Sequence, residues 1–221
     1  MSILIADMGS QNTVDMTKLA GSGCFGVIHR ATRSNQETDP LYQSRRAAAK
    51  ALKLHWSGYA FNTGETASIQ VTRFVNFAAF SADEGAWLDL ERNPGGAQMT
   101  LASTIAFLDG VDQKLGRYCG LYSGDVIKSL AARATDEQRD FLAAHPFWLC
   151  EYGPVAKMVD VNGHPLPWVK PQFWQFSSDG VGPEPHTLPG LENGADLSSF
   201  DGTADELADI WAGAPISPVT A

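Results

Sequence analysis

Only three cysteines occur in this 221-residue chain, and Cys24, Cys119 and Cys150 are odd in number and far apart. Lacking any C-x-x-C spacing, they offer neither a disulfide framework nor a zinc site and read as reduced, buried thiols in apolar strands. The five His residues do not cluster either, so no metal and no other cofactor is expected. No apolar stretch approaches the ~20 residues that span a bilayer, which argues against membrane insertion. Basic residues are scarce: 16 Lys and Arg stand against 25 Asp and Glu, a formal net charge of −9, with no basic run denser than Arg45-Arg46. A phosphate-binding surface needs clustered cations, so nucleic acid is not an expected partner. There is no G-x-S-x-G elbow to support a serine hydrolase. The Gly21-Ser22-Gly23-Cys24-Phe25-Gly26 segment precedes a strand and lacks a Lys-Ser/Thr pair, which makes it a turn rather than a phosphate loop. Met1 to Asp7 has no basic segment and meets a carboxylate after four apolar residues, so synthesis in the cytoplasm without a signal peptide is expected.

What is present is an ordinary globular composition, 44% hydrophobic and 19% charged, long enough for one large core. Short apolar runs alternate with helical periodicity. Strands are predicted at Ile3 to Met8, Phe25 to Ala31, Trp56 to Phe61, Gly85 to Glu91, Tyr118 to Tyr122 and Phe147 to Tyr152. Between them, Leu41 to Leu54 reads as helix, as does Ala67 to Phe80 with Val71, Phe74, Val75 and Ala78 on one face. Leu101 to Leu115 repeats at helical spacing between a cap at Thr100 and a terminating Gly116, and Thr135 to Gln138 has capping-box spacing. Alternating strands and helices predict an α/β fold with a parallel sheet. After Tyr152 the pattern changes. Gly and Pro become frequent, strands at Gln172 to Phe176 and Ala195 to Phe200 lack intervening helices, and Ser177 to Gly194 forms a long loop. Thr203-x-x-Glu206 opens a last helix through Trp211. One domain over residues 1–213 with a short tail at 214–221 is expected, with no internal repeat.

The costly feature is Trp87-Leu88-Asp89-Leu90-Glu91, an apolar alternating run that ends in Arg92-Asn93-Pro94-Gly95-Gly96. With a period of two, Trp87, Asp89 and Glu91 share one face of a strand. Two crowded, desolvated carboxyls cannot both ionise freely, so one is pushed toward staying protonated. A proton donor beside a carboxylate is glycosidase chemistry. The competing reading is an ion pair with Arg92 or Arg117. Asp7 ends the first strand as the acidic pair ends the fourth, and the strand ends of barrel-like sheets converge where active sites are built; alternatively Asp7 opens the turn at Met8-Gly9-Ser10. Aromatics collect near the same rim: Tyr59, Phe61, Tyr122, Trp148, Tyr152, Trp174 and Phe176. Sugar rings pack on such planes, and two or three of these residues are expected to touch ligand.

Taken together, Asp7, the acidic pair and Trp174-Gln175-Phe176 make the chain resemble the glycoside hydrolase family 25 muramidases. Ile5-Ala6-Asp7-Met8 stands where that family opens with G-I-D-V, Val27-Ile28-His29-Arg30-Ala31-Thr32 where it has V-I-I-K-A-T, and Gly58-Tyr59-Ala60-Phe61 where it has A-Y-H-F. Asp89-Leu90-Glu91 is its D-x-E pair, Gly120-Leu121-Tyr122 its G-I-Y strand, and Asp196-Leu197 falls on its terminal V-D-L. Three departures are visible: Gly9 for a Ser, Ala60 for a His, and Arg33-Ser34 for an acidic residue.

The resemblance implies an irregular, TIM-like β/α barrel of about eight strands whose last strands are antiparallel or irregular and lack helices. It implies hydrolysis of the β-1,4 bond between N-acetylmuramic acid and N-acetylglucosamine in peptidoglycan glycan strands, in the manner of a phage or prophage endolysin that reaches the wall through a holin, by injection or after lysis. Glu91 would be the proton donor, with Asp89 as its charged neighbour and Asp7 and Asp196 flanking the cleft. Tyr59, Phe61, Tyr122, Trp148, Tyr152 and Trp174 would hold substrate. A wall-binding or virion module without chemistry, or a glycosidase on another polysaccharide, are the alternatives, and oligomeric state is left open.

Overall fold

The computed structural model describes residues 2–33, 37–94, 96–178, 180–192 and 196–214, so the expected tail lies, except for Ala214, outside the described residues. In chain order the elements begin with β1 (Ile3–Met8), β2 (Thr13–Val14), α1 (Met16–Gly21), β3 (Gly26–Thr32), α2 (Tyr42–Ala51), β4 (His55–Phe61), α3 (Ala67–Ala78) and β5 (Gly85–Asp89). They continue with α4 (Leu101–Leu115), β6 (Gly120–Ser123), α5 (Asp125–Ala131), α6 (Asp136–Ala143), β7 (Phe147–Cys150), β8 (Phe173–Ser177), β9 (Leu191–Glu192), β10 (Asp196–Phe200) and α7 (Ala204–Trp211).

Eight strands close a barrel in the order β1, β10, β8, β7, β6, β5, β4, β3, while β2 and β9 form a separate two-stranded sheet. The barrel is the expected α/β, TIM-like one. From β3 through β8 each strand runs parallel to the next in the barrel, as does β1 to β3, and β10 is antiparallel to both β1 and β8. The stretch from β7 to β10, whose strands are not separated by helices, therefore divides in two. The 151–172 connection carries no helix yet returns β8 parallel to β7, and the reversal is confined to β10. Among the described residues no helix is long and apolar enough to cross a membrane.

Strand alternation builds two cores. Outward-facing Val27, Ala31, Trp56, Leu88, Leu121, Phe147 and Leu197 pack against the helices, through residues such as Phe74 of α3 and Phe107 and Leu108 of α4. Inward-facing Ile5, Ile28, Trp87, Trp148, Phe173 and Phe200 fill the barrel, together with Leu207 and Trp211 of α7. The inner ring packing is close: Trp87 and Phe173 lie 4.9 Å apart between centroids, and Trp87 and Trp148 5.8 Å at an edge-to-face angle of 79°. Gly120 makes this possible, because a Cβ there would fall 2.1 Å from Cε3 of Trp87.

Helix ends follow local chemistry. The Thr100 hydroxyl accepts from Ser103 N and Gly116 ends α4 at φ 68°. The capping boxes at Thr135/Gln138 and Thr203/Glu206 are both formed. Three features were not legible in advance. Helix α1 is capped by Asp15, whose side chain accepts from Thr17 N and Lys18 N; α5 starts at Gly124 with no side-chain cap; and β2 pairs with β9 across most of the chain.

Candidate active site

Two residues beyond the apolar plug, the inner faces of β1 and β5 turn acidic. Ile5 on β1 is followed two residues on by Asp7, and Trp87 on β5 by Asp89, both at the C-terminal strand ends. β10 runs the other way, so its first residue, Asp196, arrives at the same end and pairs in register with Asp7. Like charges opposite one another on neighbouring strands are destabilising, which marks the layer as built for something other than folding. Strand β5 ends at Asp89 rather than at Glu91. Glu91 therefore does not owe its position to strand alternation. Its N–H donates to Asn62 Oδ1 at 3.2 Å, and the Asn62 N–H donates to the Asp89 carbonyl at 3.0 Å. Buried Asn62 thus steers the chain so that Glu91 joins Asp7, Asp89 and Asp196 around a cavity of about 170 Å³ that Tyr59, Tyr122, Trp148, Tyr152, Gln175 and Ser178 also line.

Neither competing reading of these acids holds. Arg117 donates to the carbonyls of Ser81, Ala82 and Glu84, and Arg92 forms no ion pair with either acid. The turn after β1 is closed by Asn12, whose side chain accepts from Gly9 N at 2.9 Å, which leaves Asp7 free of that duty.

Gln175 organises the layer. Its Nε2 donates to Asp7 Oδ2 at 2.9 Å, while its Oε1 accepts from the Tyr122 hydroxyl at 2.6 Å and from the Tyr152 hydroxyl at 3.2 Å. Trp148 Nε1 donates to Ser198 Oγ at 2.8 Å, which orients the indole beneath the cavity. Sequence reasoning passed over Gln175, Ser178 and Asn62. A glutamine between two aromatic residues carries no signal until β8 is placed two strands from β1.

The electrostatics follow from crowding and burial. Burial pushes the Asp7 carboxyl well above the usual carboxylate range, and Asp196, Asp89 and Glu91 add to the rise while the Gln175 hydrogen bond opposes it. Asp89 is also driven well up, by burial and then by Glu91, against the pull of Arg30. Glu91 is raised by burial and by Asp196. The sequence expectation had burial and the charge of Asp89 holding the proton on Glu91; burial does so, the charge from β10 adds to it, and Asp89 and Glu91 each resist ionising beside the other. Asp89 Oδ1 is buried without a hydrogen-bond partner among the described residues. Burial and mutual repulsion thus bias the layer toward holding a proton on one carboxyl beside the charge of another, the arrangement of an acid next to a carboxylate.

Comparison with known proteins decides the lineage. The profile of the family described as Glycosyl hydrolases family 25 matches residues 7–184. The chain belongs to glycosyl hydrolase family 25. No curated protein matches it in sequence, but solved structures do in fold. A family 25 lysozyme from Aspergillus fumigatus superposes with a TM-score of 0.77 at 20% identity, over 96% of this chain and 100% of that one. The bacterial lysozyme from Streptomyces coelicolor gives 0.76 at 17% over 96% and 98%. The catalytic domain of endolysin ply40 from bacteriophage P40 of Listeria monocytogenes gives 0.72 at 17% over 97% and 98%. The profile ends before Asp196, so it is the barrel closure by β10 that brings the fourth acid to the family 25 strand ends.

A second cavity, about 440 Å³, adjoins the first and shares Glu91 and Tyr152 with it; Arg92, Asp125, Lys128, Cys150 and Glu151 form much of its wall. Lys128 donates to Glu151 Oε2 at 2.8 Å on its floor. Cys24 and Cys119 are buried as expected, but Cys150 is only half-buried and faces this space. Not all predicted aromatics reach either cavity. Tyr59, Tyr122 and Trp148 line the first and Tyr152 both, 41% exposed at the rim. Phe61, half-buried at the end of β4, lines neither. Trp174 lies on the outward face of β8 against the helix-side core, with its Nε1 donating to the Glu151 carbonyl at 2.7 Å; strand parity turns it away because its neighbours Phe173 and Gln175 face in. Among the described residues no cluster of His, Cys, Asp and Glu is arranged to hold a metal ion.

Proposed function

We propose that this glycoside hydrolase is a muramidase, cleaving the β-1,4 bond between N-acetylmuramic acid and N-acetylglucosamine in peptidoglycan, and that it serves as a phage or prophage endolysin. The observation that carries the reading is the buried carboxyl layer with Glu91 on its open side, between the two cavities. The lysozymes and the endolysin domain that share the fold support the choice of substrate.

A glycan strand lying across both cavities passes its scissile bond beside Glu91. Glu91 gives its proton to the glycosidic oxygen, the bond to the anomeric carbon breaks with its electron pair leaving on that oxygen, and Asp89 as carboxylate stabilises the positive charge left behind. Water then adds to the anomeric carbon and a proton returns to Glu91. Asp7, held by Gln175, and Asp196 flank the sugar and its water. Tyr59, Tyr122, Trp148 and Tyr152 offer polar edges and apolar faces to the rings.

Glu91→Gln removes the acid without changing shape. It is expected to lower the release of reducing ends from purified peptidoglycan by ~10²–10⁴-fold at an unchanged Tm; a fully active variant overturns the assignment. Mass spectrometry of the wild-type products should show N-acetylmuramic acid at the new reducing ends. N-acetylglucosamine there would overturn the bond assigned.

A further inference from the structure

Glu91 lies beyond the end of β5, and a substitution within the strand ladder holds it there. β4 and β5 run parallel with Phe61 opposite Asp89, and the Asn62 N–H donates to the Asp89 carbonyl at 3.0 Å as a regular ladder requires. The next bond of such a ladder runs from the N–H of Glu91 to the main-chain carbonyl of Asn62. Here that N–H donates to the side chain of Asn62, to Oδ1 at 3.2 Å. A side-chain carbonyl has taken the place of a main-chain one, so the chain beyond Asp89 stands off from β4 by the reach of that side chain.

The other flank of the same segment is gripped from β6. The Leu90 N–H donates to the Tyr122 carbonyl at 2.9 Å, and the Leu90 carbonyl accepts from Ser123 Oγ at 2.7 Å. Ser123 Oγ in turn accepts from Ile127 N at 3.1 Å, which fixes the hydroxyl to the first turn of α5. Asn62, Leu90 and Ser123 are all fully buried, whereas the Glu91 they lead to is half-buried and lines both cavities. A rigid main chain thus carries an exposed acid. Asn62 is a costly way to fill its place, because its Nδ2 is buried without a hydrogen-bond partner among the described residues, and an unmet buried donor is destabilising. What the amide supplies in return is the acceptor for Glu91.

We propose that Asn62 is a positioning residue for the acid: its side-chain carbonyl, standing in for the main chain, turns Glu91 to the boundary between the two cavities, and Ser123 braces the same segment from β6. The inference rests on the reading of Glu91 as proton donor. It is tested by kcat and KM on soluble peptidoglycan fragments, with hydrogen exchange of the Glu91 amide as a readout that needs no turnover. Asn62→Leu keeps the burial and removes the acceptor, so kcat should fall by ~10–10²-fold while KM changes little and the Glu91 amide exchanges faster. Asn62→Asp, which keeps the acceptor, should recover most of kcat and the slow exchange. Asn62→Ala, which cannot overfill the site, decides the matter if Asn62→Leu does not fold. Because Asn62 acts through Glu91, adding Asn62→Leu to Glu91→Gln should cost no further activity. Losses that multiply in the double variant, or an Asn62→Leu protein as active as the wild type, overturn the role of Asn62. Wild-type protein inactive on peptidoglycan overturns the muramidase reading instead, and the exchange of the Glu91 amide still reports on Asn62.

Discussion

Two layers of the barrel interior, two residues apart on β1, β5 and β8, are opposites. The lower layer is Ile5, Trp87, Trp148, Phe173 and Phe200, closed from below by Trp211 of α7, whose Nε1 donates to the Trp56 carbonyl at 2.8 Å. The upper layer is Asp7, Asp89, Gln175 and Asp196, with Glu91 beside them. Only ~6.6 Å of strand separates them. Below, burial is favourable because it removes apolar surface from water. Above, the same burial is unfavourable because it strips carboxylates of solvent, and it is offset by the raised proton affinity of these acids. The lower layer is therefore the platform, and the upper layer is held in a costly state by it.

That contrast can be broken or sharpened by substitution. Trp87→Ala should have the largest effect, a loss of ~3–5 kcal/mol in urea-induced unfolding, since it empties the centre of the platform; a cost no greater than that of a surface change would show that the plug does not hold the barrel. Gly120→Ala should follow at ~1–3 kcal/mol, because its Cβ would occupy space now filled by the Trp87 ring. Asp89→Asn should act in the opposite direction. A carboxyl whose proton affinity is raised by folding contributes stability that is complete below its unfolded pKa and is lost as pH rises through its folded one. The amide escapes that loss, so at pH 7 the variant should be the more stable by on the order of 1 kcal/mol while losing activity, and the difference should close as the pH is lowered toward 4. Equal stabilities at pH 7 would mean that Asp89 is not strained by its burial.

Local signals were legible wherever a few adjacent residues decide the outcome. Thr100, Gly116, Thr135 with Gln138 and Thr203 with Glu206 cap the helices they were expected to cap, and β1 has its predicted bounds. Helix α5 gave no such sign, since its first turn is held by the Ser123 hydroxyl, which accepts from Ile127 N at 3.1 Å and in turn donates to the Leu90 carbonyl on another strand. Trp174 looked like a rim residue because composition cannot tell the two faces of β8 apart. Glu91 reached the cavity by the side chain of Asn62, not by the strand alternation that first drew attention to it.

The sequence by itself determined which residues alternate, where the capped helices begin, and that an apolar run leads into two acids, because these depend on neighbours a few positions away. It also carried enough ordered motifs to indicate the family. Only the tertiary structure decided what those acids are. Their proton affinities depend on burial and on partners drawn from across the chain: Gln175 reaches Asp7 over 168 positions, and Asp196 arrives by the one reversed strand of the barrel. Charge acts through space, and folding alone brings those charges together.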